Sequence, residues 1–260
     1  MISGTPEPAA LPSWCTLVRA DNPGPMTLEG TNTYRLRADD ADDADGAVVV
    51  DPGPLDEGHL SAVAALGPVG LILLTHGHPD HAEGAHLFQE MTGAPMTAVD
   101  ARFVVGERSL AGSATFEVGG LAVRVLSTPG HTSDSVSFLV EADEPAVLTG
   151  DTVLGRGTTV VAHPDGQLGP YLDSLARLRS LGPITLLPGH GPVRGDAGAL
   201  AADYLAHRAR RLDQVRAALD AGARTPSDVV RRVYADVDRA LWPAAELSVR
   251  AQLDYLTHHP

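Results

Sequence analysis

Lysine is absent from this chain of 260 residues, cysteine occurs once, and aromatic side chains are scarce, with four Phe, two Trp and five Tyr. Each shortage removes a class of explanation. The single Cys15 excludes an internal disulfide framework and any Cys-rich zinc motif, and it reads as a small buried hydrophobe near the first strand. So few aromatics leave little for stacking bases along a nucleic-acid strand. No apolar run approaches the roughly 20 residues of a membrane span. Met1 to Trp14 is rich in Pro and Ala, without the basic start or apolar centre of a signal peptide. A cytoplasmic protein that does not enter a membrane is the expectation. All 19 basic side chains are Arg, against 33 Asp plus Glu, for a net charge of −14. Such a surface repels polyphosphate at long range, which argues against non-specific nucleic-acid binding. The excess is uneven: residues 203–260 hold nine Arg against eight acidic residues, a net +1 that leaves −15 for the rest.

What is present is concentrated in Thr75-His76-Gly77-His78-Pro79-Asp80-His81, which follows the apolar run Gly70-Leu71-Ile72-Leu73-Leu74. The run reads as a buried strand and the residues after it as a turn opening into a helix. On such a loop His76 and His78 can face one site while Asp80 and His81 face a second beside it. Imidazole and carboxylate suit zinc, which takes three or four protein groups and keeps an open position for water in catalytic sites. Four ligands are too few for two ions, so further ones are needed at other strand ends. The chain supplies them in Pro129-Gly130-His131, Gly150-Asp151-Thr152 and Pro188-Gly189-His190, each just after an apolar run and beside glycine. Taken singly, a His after a strand is usually a hydrogen-bonded loop residue and an Asp after Gly a turn or cap. Seven ligand-type residues, all on strand-end loops, form a pattern that chance does not readily produce.

His76-x-His78-x-Asp80-His81 followed by His131, Asp151 and His190 resembles the metallo-β-lactamase superfamily motif in order and approximate spacing. The segments Asn22 to Tyr34, Gly150 to Val160 and Pro188 to Val193 narrow the resemblance to the β-lactamase-like protein 2 group. The resemblance implies an α/β fold, a four-layer αββα sandwich. It places His76, His78 and His131 on one metal, Asp80, His81 and His190 on the other, and Asp151 between them, with two Zn2+ as cofactors and Mn2+ or Fe as alternatives. It also makes Asp80 the residue that orients the attacking hydroxide and handles its proton, since metal coordination lowers the pKa of water to roughly 7. Asn32, Thr158 and Thr159 become pocket candidates on the same ground. Thr132 and Ser133 are the expected partners of the His131 ring, and Asp51 the expected brace of the ligand loop.

Residues 1–200 are expected to form the catalytic domain and 201–260 a helical, winged-helix-like appendage. Helices are expected at 57–66, 80–91, 169–181, 201–221, 227–235 and 244–257, with strands at 15–19, 32–37, 47–51, 96–99, 115–118, 121–126 and 135–140. The acidic stretch 39–46 reads as a solvated hairpin connection, because it lacks the calcium-loop pattern. The gap from Asp151 to His190 is too short for the inserted domain of the β-CASP nucleases. The resembling group continues past its last helix into a β-hairpin wing, whereas this sequence ends at His258-His259-Pro260. That departure argues against a nucleic-acid contact by the tail, which leaves a lid on the core or a homodimer surface as the other expected roles. Within it the Arg208, Arg210, Arg211 run reads first as a solvated face, and His207 as a packing or substrate-contacting residue.

Three functions follow. The first is a dinuclear zinc hydrolase of a (thio)ester, lactam or related carbonyl in a small or carrier-bound substrate. The second is a single-stranded RNA endoribonuclease on the same metal site. Both activities occur in the resembling group, where fungal members release polyketides from carrier thioesters and a mitochondrial member cuts RNA. The third is an interaction protein with a dead site, against which the seven filled ligand positions argue, or an iron-dependent redox relative, although the di-iron reductases carry Glu where this chain has His78.

Overall fold

The computed structural model describes residues 9–106, 110 and 114–259; residues 1–8 of the Pro- and Ala-rich start, and Pro260, lie outside them. Alternation within short apolar runs sets the architecture. In strand β3 (Ala47–Val50) the side chains of Val48 and Val50 enter one core while Val49 enters another. Strand β4 (Val69–Leu73) divides in the same way, Leu71 and Leu73 against Ile72. Both faces of this sheet are covered, which is why its strands read as continuous apolar runs. Each fully buried Val or Leu contributes roughly 1.5–3 kcal/mol relative to exposure.

Strands β1 (Cys15–Arg19), β2 (Asn32–Leu36), β3, β4 and β5 (Met96–Thr97) form the first sheet in sequence order. The second comprises β6 (Thr115–Val118), β7 (Leu121–Ser127), β8 (Val136–Val140), β9 (Ala146–Gly150) and β10 (Thr185–Pro188), in the order β10-β9-β8-β7-β6. Pairs β3/β4, β4/β5 and β9/β10 are parallel and the others antiparallel. One core, including Tyr34, Leu71, Val125, Phe138 and Leu148, lies between the sheets. Helices α1 (Glu57–Ala64) and α3 (Ala85–Thr92) cover the first sheet through Leu60, Val63 and Phe88. Helices α4 (Leu168–Arg179) and α5 (Ala197–Asp220) cover the second through Tyr171, Leu175, Leu200 and Tyr204. The four-layer αββα sandwich is the fold the motif implied.

A smaller core joins Val215 and Ala218 of α5 to Val229 and Val230 of α6 (Pro226–Val233) and to Ala245 and Val249 of α7 (Trp242–His258). A capping box between Thr225 and Asp228 starts α6. Helix α5 runs unbroken through position 200, so the expected division falls inside a helix that serves two cores. It begins at Ala197 rather than 201 because Asp196 caps it, accepting from the Ala199 N–H at 2.8 Å. The helix expected over 80–91 is two pieces, α2 (Pro79–Ala82) and α3. At the break, a Cβ on Gly84 would lie 2.6 Å from the Pro54 carbonyl oxygen, and its N–H donates to the Gly53 carbonyl. The strand expected at 96–99 ends at Thr97. A short 3-10 turn, Asp43–Asp45, occupies the acidic connection. No helix among the described residues is long and apolar enough to cross a membrane.

Candidate metal centre

The C-terminal ends of β3, β4, β7, β9 and β10 deliver Asp51, His76 to His81, His131, Asp151 and His190 to one edge of the sandwich. The seven residues singled out by the motif converge there in overlapping groups: His76, His78 and His131; His76, His81 and Asp151; Asp80, His81 and His190. In the first, the Nε2 atoms of His76 and His131 each lie 3.0 Å from His78 Nδ1. In the last, His81 Nε2 and His190 Nε2 are 3.2 Å apart, and His190 Nε2 is 3.0 Å from Asp80 Oδ2. Asp151 sits between the groups, with Oδ1 at 3.4 Å from both His81 and His190 and Oδ2 at 3.6 Å from His131.

Four imidazoles have their Nδ1 atoms tied to the protein. His76 Nδ1 meets Thr75 Oγ1 at 3.0 Å, His81 Nδ1 meets Asp51 Oδ2 at 2.8 Å, His131 Nδ1 meets the Val160 carbonyl at 2.7 Å, and His190 Nδ1 meets the Gly30 carbonyl at 3.2 Å. A proton on each Nδ1 satisfies these acceptors and leaves every Nε2 with a lone pair facing inward. Asp51 does the bracing expected of it, since its Oδ1 accepts the Thr75 N–H at 2.7 Å and its Oδ2 the Thr75 hydroxyl at 2.6 Å. The expected orientation of His131 by Thr132 and Ser133 is corrected: a backbone carbonyl does it. Thr132 instead pairs with Ser135 at 2.6 Å, and Ser133 donates to Asp165 at 2.6 Å.

This donor set fits divalent cations. Lone pairs crowded at 3.0–3.2 Å are close to the ~3.3 Å spacing of nitrogens at 2.0–2.1 Å from a tetrahedral zinc. Asp151 Oδ1 is buried without a hydrogen-bond partner, an arrangement that is costly unless a cation compensates it. Burial, with the neighbouring imidazoles His81 and His131, pushes His76 well below its ordinary range, and burial also lowers His131. Burial opposes charge on Asp151 too, but His81 and His190 beside it hold its carboxyl well below the usual range. His190 is raised to about 9, Asp151 and Asp80 overcoming its burial. Asp80 is lowered, its burial outweighed by the His190 contact. This density requires glycine at position 189, where a Cβ would lie 2.7 Å from both Asp151 Oδ1 and His81 Cε1.

A cavity of about 240 Å³ opens from His131 and Asp151. Thr158, Thr159 and His207 line it, and Thr159 Oγ1 donates to the Asp151 carbonyl at 2.7 Å. Asn32 is not among its lining residues. It is buried, and its side-chain amide donates to the carbonyls of Pro188 at 2.9 Å and Gly191 at 3.0 Å, clamping the His190 loop to the first sheet. The opposite wall is the tail: Arg208 and Arg211 of α5, Tyr234, Leu241, and Ala244, Ala245 and Ser248 of α7. The solvated-face reading of the arginine run therefore holds for Arg210 alone, which is exposed. Arg208 is 4% exposed, donates to the Thr159 carbonyl and lies over the Tyr171 ring at 5.0 Å. Leu28, Val160 and Tyr234 carried no ligand-type signal in the sequence and emerge as lining residues only from the fold.

Comparisons with known proteins agree with this architecture. Residues 26–190 match the Metallo-beta-lactamase superfamily model, and residues 225–258 the Beta-lactamase associated winged helix domain. The Beta-lactamase-like protein 2 homolog of Drosophila melanogaster is 32% identical over 266 residues, covering 90% of this chain and 85% of the relative. The Atrochrysone carboxyl ACP thioesterase of Aspergillus chevalieri is 34% identical over 238 residues, covering 85% and 73%. A solved metallo-beta-lactamase family protein from Thermus thermophilus superposes with a TM-score of 0.80 at 25% identity, covering 96% of this chain and 95% of that one. A model match over residues 26–190, on a sandwich whose one edge gathers the His and Asp cluster, makes this chain a member of the metallo-beta-lactamase superfamily, a metal-dependent hydrolase with the associated winged helix domain.

Proposed function

We propose that the chain is a dinuclear zinc hydrolase acting on a thioester, ester or related carbonyl of a small or carrier-bound substrate. The observation that carries this reading is the opening of the His and Asp cluster onto a cavity walled by apolar side chains and closed by the tail. When bound, such ions supply Lewis acidity and bring the pKa of their water down to roughly 7. His76, His78 and His131 would hold one ion, Asp80, His81 and His190 the other, with Asp151 shared. The rest is work for the protein. Asp51, Thr75 and the carbonyls of Val160 and Gly30 fix the imidazoles beforehand, so no reorganisation accompanies reaction. Asp80 has a side chain 26% exposed, while those of His81 and His190 are fully buried. Held anionic, it orients the attacking water and accepts its proton at a carboxylate oxygen. Leu28, Leu154, Val160 and Leu241 exclude water from the acyl portion.

A cavity of this size, with Tyr234 as its one aromatic lining residue besides the imidazoles among the described residues, offers no stacking platform for successive bases, which favours a carbonyl substrate over RNA. The kinship with a carrier-protein thioesterase supports the same choice. To test it, protein isolated without added metal is analysed for metal. The zinc-loaded wild type and Asp80→Ala are then given a medium-chain acyl thioester and, separately, a labelled single-stranded RNA. Two zinc ions per chain are expected, with thiol release that falls by about 10²-fold or more in the variant. Cleavage of RNA alone, or iron that zinc cannot replace, would overturn the reading.

A further inference from the structure

The cavity wall facing the metal cluster carries positive charge that no carboxylate among the described residues neutralises. Residue 211 lies four and three positions after 207 and 208 on α5, so it neighbours both on the helix surface, and all three line the cavity. Arg208 and Arg211 have no carboxylate partner among the described residues. Arg208 donates to the Thr159 carbonyl, while Arg211 Nη1 reaches Gln214 Oε1 at 2.9 Å and the Val233 carbonyl at 2.8 Å. Arg208 Nε and His207 Nδ1 are both buried without a partner. At the rim Arg156 also lines the cavity, but Glu29 Oε1 offsets it, 3.0 Å from its Nε. Asp151 is the one carboxylate in the lining among the described residues, and it belongs to the metal cluster.

A chain of net charge −14 has no shortage of acids with which to pair two arginines. Burying a guanidinium without an anion is costly, and a guanidinium fork matches the geometry of carboxylate and phosphate. We infer that this wall is an oxyanion subsite, so that the substrate carries a free carboxylate or phosphate held by Arg208 and Arg211, an apolar body between, and its scissile carbonyl at the metal end. The placement of the carbonyl rests on the hydrolase reading above; the subsite itself rests on the arginines. Arg211 also lies over the Tyr234 ring, 4.3 Å from its centroid, which fixes the guanidinium at the edge of the cavity. His207, depressed to about 4 by burial and by the adjacent arginines, is neutral at pH 7 and adds a hydrogen bond without adding charge.

The test is calorimetric titration of metal-loaded protein with three probes of similar length: hexanoate, n-butyl phosphate and neutral hexanamide. Wild type is compared with Arg211→Gln and Arg211→Lys. Both anions, or one of them, should bind tighter than hexanamide, and the preferred one says whether the substrate's charge is carboxylate or phosphate. Arg211→Gln should weaken anion binding by about tenfold or more while leaving hexanamide unchanged, and Arg211→Lys should recover much of the loss. Zinc content, measured on the same samples, should not change. Equal binding of all three probes by wild type, or an equal loss of all three in Arg211→Gln, would overturn the subsite. Because these titrations need no turnover, anion binding without thioester hydrolysis would sink the hydrolase reading and leave the subsite standing. Thioester hydrolysis without anion preference would do the reverse.

Discussion

Asp51 Oδ2 lies 2.8 Å from His81 Nδ1, at the end of a strand that contributes no metal-ligand candidate of its own. The same carboxylate accepts two hydrogen bonds from Thr75, and Thr75 in turn meets His76. One residue thus orients an imidazole in each half of the cluster. Its backbone is left-handed, with φ of 50°, a region Asn adopts readily. Asp51→Asn should therefore keep the fold, yet it removes the charge that holds the proton on His81 Nδ1. The expected loss in metal affinity is about 10–100-fold, read by competition with a chromophoric chelator. Unchanged affinity would mean that the carboxylate braces the loop and nothing more.

His78 offers the cleanest separation of chemistry from folding. It precedes the first turn of α2 but makes no capping hydrogen bond through its side chain, and it joins the cluster through Nδ1 alone. Removing it takes one of three donors from the first group while the packed strands stay intact. His78→Ala should lose at least about 10²-fold in turnover and melt within a few degrees of metal-free wild type. Retained turnover would remove His78 from the site.

The cluster was legible because its chemistry is written in side chains: His and Asp beside glycine after apolar runs need no tertiary contact to be noticed. What supports it was legible only in part. Asp51 could be read from its place at a strand end. The partner of His131 could not, because the Val160 carbonyl is backbone and carries no residue signature. Asn32 misled for a related reason: its role depends on the carbonyls of Pro188 and Gly191, more than 150 residues away. The tail resisted most. Its arginines follow one another as a solvated run would, and only the folding of α5 across the second sheet turns Arg208 inward and leaves Arg210 outside.

Gly189 is constrained by closeness rather than by a left-handed backbone. A methyl group there would press on Asp151 Oδ1 and on His81 Cε1, each at 2.7 Å, far inside van der Waals contact. Gly189→Ala should displace both ligand candidates, lowering metal content and activity together by about 10²-fold while far-ultraviolet dichroism stays native. Full metal content in this variant would show that the loop has room to yield.

Cys15 is 7% exposed and burial pushes its thiol up to about 12. Since only the thiolate attacks alkylating agents, iodoacetamide at pH 8 should leave the native chain unmodified for as long as it remains folded. Mass spectrometry should show modification rising in step with unfolding by denaturant. Rapid labelling without denaturant would show that β1 opens independently of the sandwich.

His207 links the cavity to pH with a sign that can be worked out. Its folded pKa is about 4, below the ~6.5 of an unfolded histidine, chiefly because burial and then the neighbouring Arg208 disfavour the cation. Between those values the unfolded chain binds a proton that the folded chain does not, so this residue withdraws stability as pH falls from about 6.5 to about 4 and has no further effect below. His207→Gln cannot bind that proton. Chemical unfolding at pH 7.5 and pH 5, with metal content measured at each, should show a smaller loss for the variant than for wild type. Metal release at the lower pH acts on both proteins alike, so the difference between them isolates the one imidazole; equal losses would show that His207 takes up its proton in the folded cavity.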